Sequence, residues 1–219
     1  MFIIKKALAE STWSEIKEFA KKRELSRVFG KGDQIPVKLK NDEEVVLTVG
    51  RDESGKFYFV MEDCLNKTRP MNSVCTNAGG WKATEVRTWL NEDFFALLPD
   101  DLQEIIVPTK IVQVLDGERV ECEDKIFMLS KTQVFGKGPW SVIEPEDTQL
   151  DIFPTEKSRV KECGDNGTWW YGLRTPLQSC SFSFCMVSSY GSADYTNAIN
   201  YRGVAPGFCI EESETIPPA

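Results

Sequence analysis

The chain has 219 residues, of which 41% are hydrophobic and 27% charged, a composition typical of soluble globular proteins. Its net charge of -8 disfavours binding to a phosphate backbone, which needs a clustered basic face, so we expect no nucleic acid partner. Histidine is absent, which excludes the commonest general base, the histidine-activated Ser and Cys nucleophiles and most catalytic zinc sites.

The first ten residues contain too short an apolar run to form a signal peptide, and no small-residue cleavage site follows them. No segment approaches the roughly 18 apolar residues that a membrane-spanning helix needs. We therefore expect a protein that is made and folded in the cytoplasm and does not insert into a membrane.

Helical and strand patterns follow one another in the first third of the chain. Residues 12–15 have the form of a capping box and predict a first helix, with the cationic residues 21–23 at its end. The apolar period then changes to two, which predicts strands at 35–39, 45–49 and 56–60.

A second helix and a hairpin are predicted next. Thr84 begins an apolar pattern with helical spacing, and Pro99 ends it. Asp116 and Gly117 lie between two apolar runs and favour a hairpin turn with positive φ at both central residues. Residues 131–168 contain several Gly and Pro residues and little periodicity, which predicts long ordered loops.

These elements predict one α+β domain over residues 1–219, in which residues 1–62 form an N-terminal helix plus β-hairpin appendage. The seven cysteines are odd in number and form no C-x-x-C pair, which predicts reduced thiols and neither a disulfide framework nor a zinc site. The same count leaves room for one disulfide between Cys185 and Cys209.

Residues 177–203 differ in composition from the rest of this charge-rich chain, because Ser, Tyr, Asn, Thr and Gly dominate and Lys and Glu are absent. Three of the five tyrosines, Tyr190, Tyr195 and Tyr201, lie here. Tyrosine supplies a large contact area at low entropic cost, and Ser, Asn and Gly supply adaptable hydrogen bonds, as in antibody paratopes. The composition therefore favours a binding surface, and a plain surface loop of a β-rich domain is the alternative.

Two apolar, turn-rich blocks, residues 169–176 and 203–210, flank this window. Between them lie Phe184, Cys185, Val187, Gly191, Ala193, Asn197 and Ala198, and upstream the chain carries in order residues 13–16, 79–81, 86–91, 98–102 and 124–130. This order of motifs resembles a family of uncharacterised domains from gut Firmicutes and their phages, whose C-terminal half has a C-type-lectin-like or formylglycine-generating-enzyme-like fold. It is also similar to the variable proteins of diversity-generating retroelements. Relative to that pattern, Tyr171 and Gly172 are an insertion, and Thr175 replaces Ser.

The resemblance implies an α+β, C-type-lectin-like fold with two helices, short antiparallel sheets and long ordered loops, and a variable ligand-binding region at residues 177–210. The implied scaffold residues are Phe184, Cys185, Val187, Gly191, Ala193, Asn197, Ala198, Gly203, Val204, Pro206 and Phe208. The implied binding residues, expected on one contiguous exposed face, are Ser179, Ser181, Ser183, Met186, Ser188, Tyr190, Asp194, Tyr195, Thr196, Ile199, Tyr201 and Arg202. The three tyrosines and Arg202 are expected to contribute most, since Tyr and Arg are enriched in interface cores.

Two alternatives involve metals. Cys180 and Cys185 resemble the cysteine pair that holds copper(I) in formylglycine-generating enzymes. If the stretch is extended, however, strand alternation directs these two side chains to opposite faces. Residues 144–147 resemble part of the calcium element of sugar-binding lectins, but they lack its Asn, and a solvated acidic loop is the competing interpretation. We therefore expect no bound metal and no cofactor.

Other conspicuous residues are expected to be structural. Trp81, Trp89, Trp169 and Trp170 have apolar neighbours, which favours a place in the core. Arg174 is expected to be a buried charge that pairs within the scaffold.

The sequence thus predicts a non-catalytic, receptor-recognition protein encoded by a phage or prophage, with a protein or glycan as its ligand. The alternatives are a structural virion subunit without diversified binding and a copper-dependent oxidase of the formylglycine-generating type. Virion association and homo-oligomeric assembly are left open, because fold alone does not determine function.

Overall fold

The capping box at Thr12 begins the first helix in the computed structural model of the protein, which describes residues 12–212. The Glu15 amide donates to Thr12 Oγ1 at 3.3 Å, and the Thr12 amide donates to Glu15 Oε2 at 3.0 Å. Helix α1 (Trp13–Lys21) buries Trp13 and Ile16 against the core. The sequence prediction of this helix is confirmed.

The remaining helices are short. The run predicted from Thr84 is continuous but changes its winding, because a π-helical stretch at Leu90–Phe94 joins α3 to α4. Helix α6 lies in the region predicted as loop, and a capping box between Ser130 and Gln133 begins it. The helices after α1 are α2 (Leu25–Val28), α3 (Glu85–Trp89), α4 (Phe95–Leu97), α5 (Asp100–Gln103), α6 (Lys131–Phe135) and α7 (Glu156–Arg159).

Within residues 12–212, ten short strands form three antiparallel sheets, so the protein is of the α+β class. The largest sheet has the order β1-β2-β3-β10-β6; the others are the hairpin β4-β5 and the three-stranded sheet β7-β8-β9. The strands are β1 (Gln34–Lys38), β2 (Glu44–Arg51), β3 (Phe57–Met61), β4 (Thr109–Leu115), β5 (Glu118–Asp124), β6 (Phe127–Met128), β7 (Tyr171–Pro176), β8 (Ser183–Val187), β9 (Ala193–Asn197) and β10 (Pro206–Ile210).

Strand β10 is an interior strand of the large sheet and lies between β3 and the edge strand β6. Phe208 is opposite Phe59 in this ladder, and their rings stack with centroids 5.4 Å apart. Trp13 and Phe29 contact Phe59 edge-on. Because β1 and β2 extend the same sheet, the N-terminal segment predicted as an appendage is built into the main core.

The β4-β5 hairpin turns at Asp116 and Gly117, whose φ values are 51° and 85°. This confirms the hairpin predicted from that dipeptide. Residues 131–168 contain only short helices and 3₁₀ turns between irregular segments. No helix within residues 12–212 is both long and apolar enough to cross a bilayer.

Candidate functional site

The region predicted to bind a ligand folds as the β8-β9 hairpin and the loops at its two ends. Strand β8 is central in its sheet, with β7 on one side and β9 on the other, whereas β9 is an edge strand. The residues of β8 are all buried, whereas Ala193, Asp194 and Tyr195 of β9 are exposed. Strand β7 is also an edge strand but is buried, so exposure in this region depends on which strands the rest of the fold covers, and β9 is the one left uncovered.

A group of exposed aromatic and apolar side chains follows this hairpin. We define the hairpin surface as Phe182, Tyr190, Tyr195, Ile199 and Tyr201, which are between 42% and 82% exposed. Within residues 12–212 only three other large apolar side chains are comparably exposed, and they are Val46, Val74 and Val142. The exposed apolar area of the described chain is thus concentrated on one short segment, as at interaction sites.

Seven of the twelve predicted binding residues are exposed, namely Ser179, Ser181, Tyr190, Asp194, Tyr195, Ile199 and Tyr201. Thr196 and Arg202 are half-buried. Ser183, Met186 and Ser188 are buried, and the prediction that they are presented to a ligand is wrong.

Each buried residue has a structural contact that explains its burial. Ser183 and Met186 lie on β8, whose residues are all buried, and Arg202 Nε lies 3.4 Å from Met186 Sδ. Ser183 Oγ lies 3.1 Å from Asn197 Oδ1. Ser188 Oγ accepts the amide of Ser192 at 3.1 Å, which organises the turn between β8 and β9.

The predicted binding residues also do not share one face. Successive side chains of a strand point to opposite faces, so Asp194 and Thr196 of β9 point away from the side that carries Tyr195. Arg202 is on the Thr196 side, where it donates to Thr196 Oγ1 at 2.7 Å and lies 3.4 Å from Met186 Sδ. These contacts hold the Arg202 guanidinium within the fold. Arg202 is therefore not presented beside Tyr195, as the prediction of one binding face required.

Most of the predicted scaffold residues are buried, as expected, including Phe184, Val187, Val204 and Phe208. Ala193 is exposed and Asn197 half-buried, because both lie on the edge strand. Gly191 has φ of 82°, and a Cβ there would lie 2.0 Å from the carbonyl oxygen of Glu156. The turn that carries Tyr190 therefore requires glycine at this position.

A loop distant in sequence supports the other end of the hairpin. The Asn77 side chain donates to the carbonyl oxygens of Leu177, Cys180 and Ser183 at 3.2, 2.7 and 2.8 Å. The Met71 amide donates to the Ala198 carbonyl at 2.8 Å. These bonds fix the loops that present the hairpin surface.

Two exposed apolar residues at this end were absent from the predicted binding set. Phe182 lies between two serines of the polar window, which is a signal that sequence analysis can use. Val74 belongs to the supporting loop, where the neighbouring Cys75 Sγ lies 4.0 Å from the Phe182 carbonyl oxygen. Nothing local in the sequence predicts that proximity.

The two candidate copper ligands occupy different settings. Cys180 is half-buried in the turn before β8, with its Sγ 3.3 Å from Ser183 Oγ. Cys185 is buried in β8, and burial raises the pKa of its thiol to about 11, which disfavours the thiolate that binds metals. Cys185 and Cys209 are both free thiols. No group of three or more Cys, Asp or Glu side chains within residues 12–212 is arranged to hold a metal ion.

The acidic stretch 144–147 is not a solvated loop throughout. Glu144 is fully buried and accepts from Thr175 Oγ1 at 2.7 Å and from Gln113 Nε2 at 3.0 Å. Arg174, also buried, pairs with Asp147, and its Nε lies 4.0 Å from Glu144 Oε1. The prediction that Arg174 is buried and paired within the fold is confirmed. Its guanidinium is the cation that lies beside the carboxylates of Glu144 and Asp147.

The Glu144 carboxyl should make stability depend on pH. Burial is the largest cause that raises its pKa, to about 7 from 4.5, and the Asp147 carboxylate adds to the effect. Its protonation therefore stabilises the fold fully below about pH 4.5, and this contribution is lost as the pH rises through about 7. Relative to wild type, Glu144→Gln should gain stability on the order of 1 kcal/mol per pH unit across that window. Urea unfolding from pH 5 to 8 measures this, with the exposed Glu146→Gln as control; parallel curves for all three proteins would contradict it.

The four tryptophans predicted to lie in the core differ in their burial. Trp81 is completely buried, as predicted for a core residue. Trp89, Trp169 and Trp170 are half-buried, and Trp89 lies beneath the guanidinium of Arg69 at 3.7 Å. These three contribute to packing but lie at the edge of the core.

Comparison with known proteins gives one match. Neither a curated protein nor a solved structure showed significant similarity to the chain. A family model described as a domain of unknown function, DUF6273, matches residues 55–212, which contain β3 to β10 and the hairpin surface. Since this match covers well over half of the chain, the protein belongs to the DUF6273 family.

Proposed function

We propose that the protein is a non-catalytic ligand-binding protein that recognises a protein or glycan through the hairpin surface. The observation that carries this proposal is the concentration of exposed Tyr, Phe and Ile side chains on residues 182–201. Tyr and Phe are enriched in interface cores and supply contact area with little loss of side-chain entropy. The chemistry fits recognition better than catalysis, since the exposed groups are aromatic rings and serine hydroxyls.

The surroundings of the hairpin surface support binding without rearrangement. The turn at Tyr190 is fixed by Ser188 and Gly191, and the opposite end is fixed by the three bonds from Asn77. A ligand then contacts side chains whose backbone is already ordered, which lowers the entropic cost of association. Replacing one exposed side chain would change the contacts and leave the support intact.

In a diversified binding protein, the residues that fix the backbone must differ from the exposed residues that vary, and the hairpin meets this requirement. We therefore propose further a C-type-lectin-like fold and a phage or prophage origin, with diversification by a retroelement. The residues suited to diversification are the exposed ones: Ser179, Ser181, Tyr190, Asp194, Tyr195, Ile199 and Tyr201. The genetic test is a near-identical copy of the coding stretch for residues 177–210, beside a reverse-transcriptase gene, that differs only at adenines. Differences spread over all four bases would contradict diversification but not ligand binding.

Replacing Tyr190, Tyr195 and Tyr201 together by Ala should weaken ligand binding by about 2 kcal/mol or more, which is roughly 30-fold in Kd. The ligand for this titration is the strongest binder from arrays of glycans and of bacterial surface proteins. Val142→Ala, which shortens an exposed side chain outside the hairpin surface, is the control and should bind as wild type does. Equal affinity of the triple variant and wild type would overturn the proposal.

A structural virion subunit would use the same surface differently. It would assemble with copies of itself or with one partner subunit, and the triple variant would then change oligomeric state measured by light scattering. A ligand-binding protein should instead keep its oligomeric state when the tyrosines are replaced.

A further inference from the structure

A cavity of about 350 Å³ lies beside the first strands of the large sheet, apart from the hairpin surface. Its lining includes Thr48 of β2, Val60 and Met61 of β3, and Phe153. Lys31 lines it from the loop before β1. This volume falls within the range of small-molecule sites. No residue of 177–210 lines the cavity, so a ligand in this cavity would be bound independently of the hairpin surface.

Lys161 lines this cavity and is 4% exposed. Its Nζ donates to the carbonyl oxygens of Met61 and Glu62 at 2.5 and 2.7 Å. An ammonium group carries three N–H donors, and among residues 12–212 the third has no acceptor and the charge has no ion-pair partner. Burial lowers the pKa of Lys161, as expected for a desolvated cation, and the nearby Cys64, Glu62 and Asp63 side chains act in the opposite direction.

An acidic group lines the same cavity. Glu62 is half-buried, and its Oε2 accepts the hydroxyl of Thr48. Its other oxygen receives no hydrogen bond from the described residues, and its charge has no ion-pair partner there. The cavity therefore presents the buried cation Lys161 and the half-buried anion Glu62, both without an ion-pair partner among the described residues, and the exposed Lys31 is a second cation in its lining. The remaining walls include the apolar side chains of Phe153 and Val160.

The two opposite charges limit which molecules fit. A ligand with only a carboxylate would be attracted by Lys161 and repelled by Glu62. A ligand with only an ammonium group would be attracted by Glu62 and repelled by Lys161. A molecule that carries both groups would supply a counter-ion to each. Buried charges are stable only when they are paired, so such a molecule would also remove the cost of desolvating Lys161.

We propose that this cavity binds a free amino acid or a similarly small zwitterion, with its carboxylate on Lys161, its ammonium on Glu62 and its side chain against Phe153. Lys161 and Glu62 are then the residues that select the charge pattern, and the apolar wall selects the side chain. Lys31 at the same cavity adds a second cation for the carboxylate.

The test is a thermal-shift screen of the full chain with each of the twenty amino acids at millimolar concentration, followed by calorimetric titration of the best one. At least one amino acid should raise the melting temperature. Its affinity should fall tenfold or more in Lys161→Met and in Glu62→Gln, and the corresponding amide and deaminated acid should bind wild type tenfold or more weakly. Lys157→Met, an exposed lysine of α7 outside the cavity, is the matched control and should bind as wild type.

A second measurement covers a Lys161→Met variant that fails to fold. In the wild-type chain, the same amino acid should protect Lys161 from acetylation by acetic anhydride, quantified by mass spectrometry, and leave Lys157 equally reactive. The proposal is overturned if none of the twenty amino acids shifts the melting temperature or protects Lys161. It is also overturned if the amide and the deaminated acid bind as tightly as the amino acid.

Discussion

Replacing Phe208 by Ala should lower the free energy of unfolding by about 3–5 kcal/mol, the range for large-to-small changes at buried aromatic residues. Phe208 is 3% exposed, lies on the interior strand β10 and stacks on Phe59. Strands on both sides hold the backbone in place, so the cavity left behind cannot collapse easily. Urea unfolding followed by tryptophan fluorescence measures the loss.

The exposed tyrosines provide the comparison for this variant. Single Ala variants of Tyr190, Tyr195 and Tyr201 should each lose no more than about 0.5 kcal/mol, since their side chains make few contacts within the fold. If they unfold as readily as Phe208→Ala, the tyrosines are packing residues and the hairpin surface is not a binding site. The stability measurement thus tests the site without knowledge of the ligand.

Replacing Arg174 by Met should also cost about 3–5 kcal/mol, because it removes one partner of a buried ionic group. Arg174 donates to the Met128 carbonyl at 2.9 Å and to Gln133 Oε1 at 2.8 Å, and it pairs with Asp147. Without the guanidinium, Asp147 loses its cation, and Glu144 loses the nearest positive charge.

The control for this variant is Arg119→Met. Arg119 pairs with Glu121 and Glu146 on the surface, where such pairs contribute about 1 kcal/mol or less. Urea unfolding at pH 7 measures both variants. A loss for Arg174→Met as small as that for Arg119→Met would contradict the structural role assigned to the buried arginine.

Local features of the fold could be predicted from the sequence. The capping box at Thr12 and the turn at Asp116 and Gly117 depend on backbone and side-chain chemistry within about four residues, so short motifs identify them. Composition likewise indicates that residues 177–203 carry exposed side chains, and it places the tyrosines at the surface. The sequence also shows that no histidine is present to act as a general base, and its acidic net charge disfavours a phosphate backbone as partner.

Tertiary packing around the sheet determines which residues of that window are presented. Met186 and Tyr195 are both large side chains on short strands, yet one is buried and the other exposed. The rest of the fold covers β8 and the edge strand β7 but leaves β9 exposed, and no local pattern encodes these contacts between distant segments.

The same reason applies to the interior charges. The sequence shows Lys161 and Glu62 as two of many charged residues, 99 positions apart. Only the packing of the segment that carries Lys161 against β3 places both at one cavity and removes water from the lysine. Local chemistry in the sequence thus accounts for the short elements and for the composition of the surface. Burial and charge pairing follow from the tertiary fold, because they depend on contacts between segments far apart in the chain.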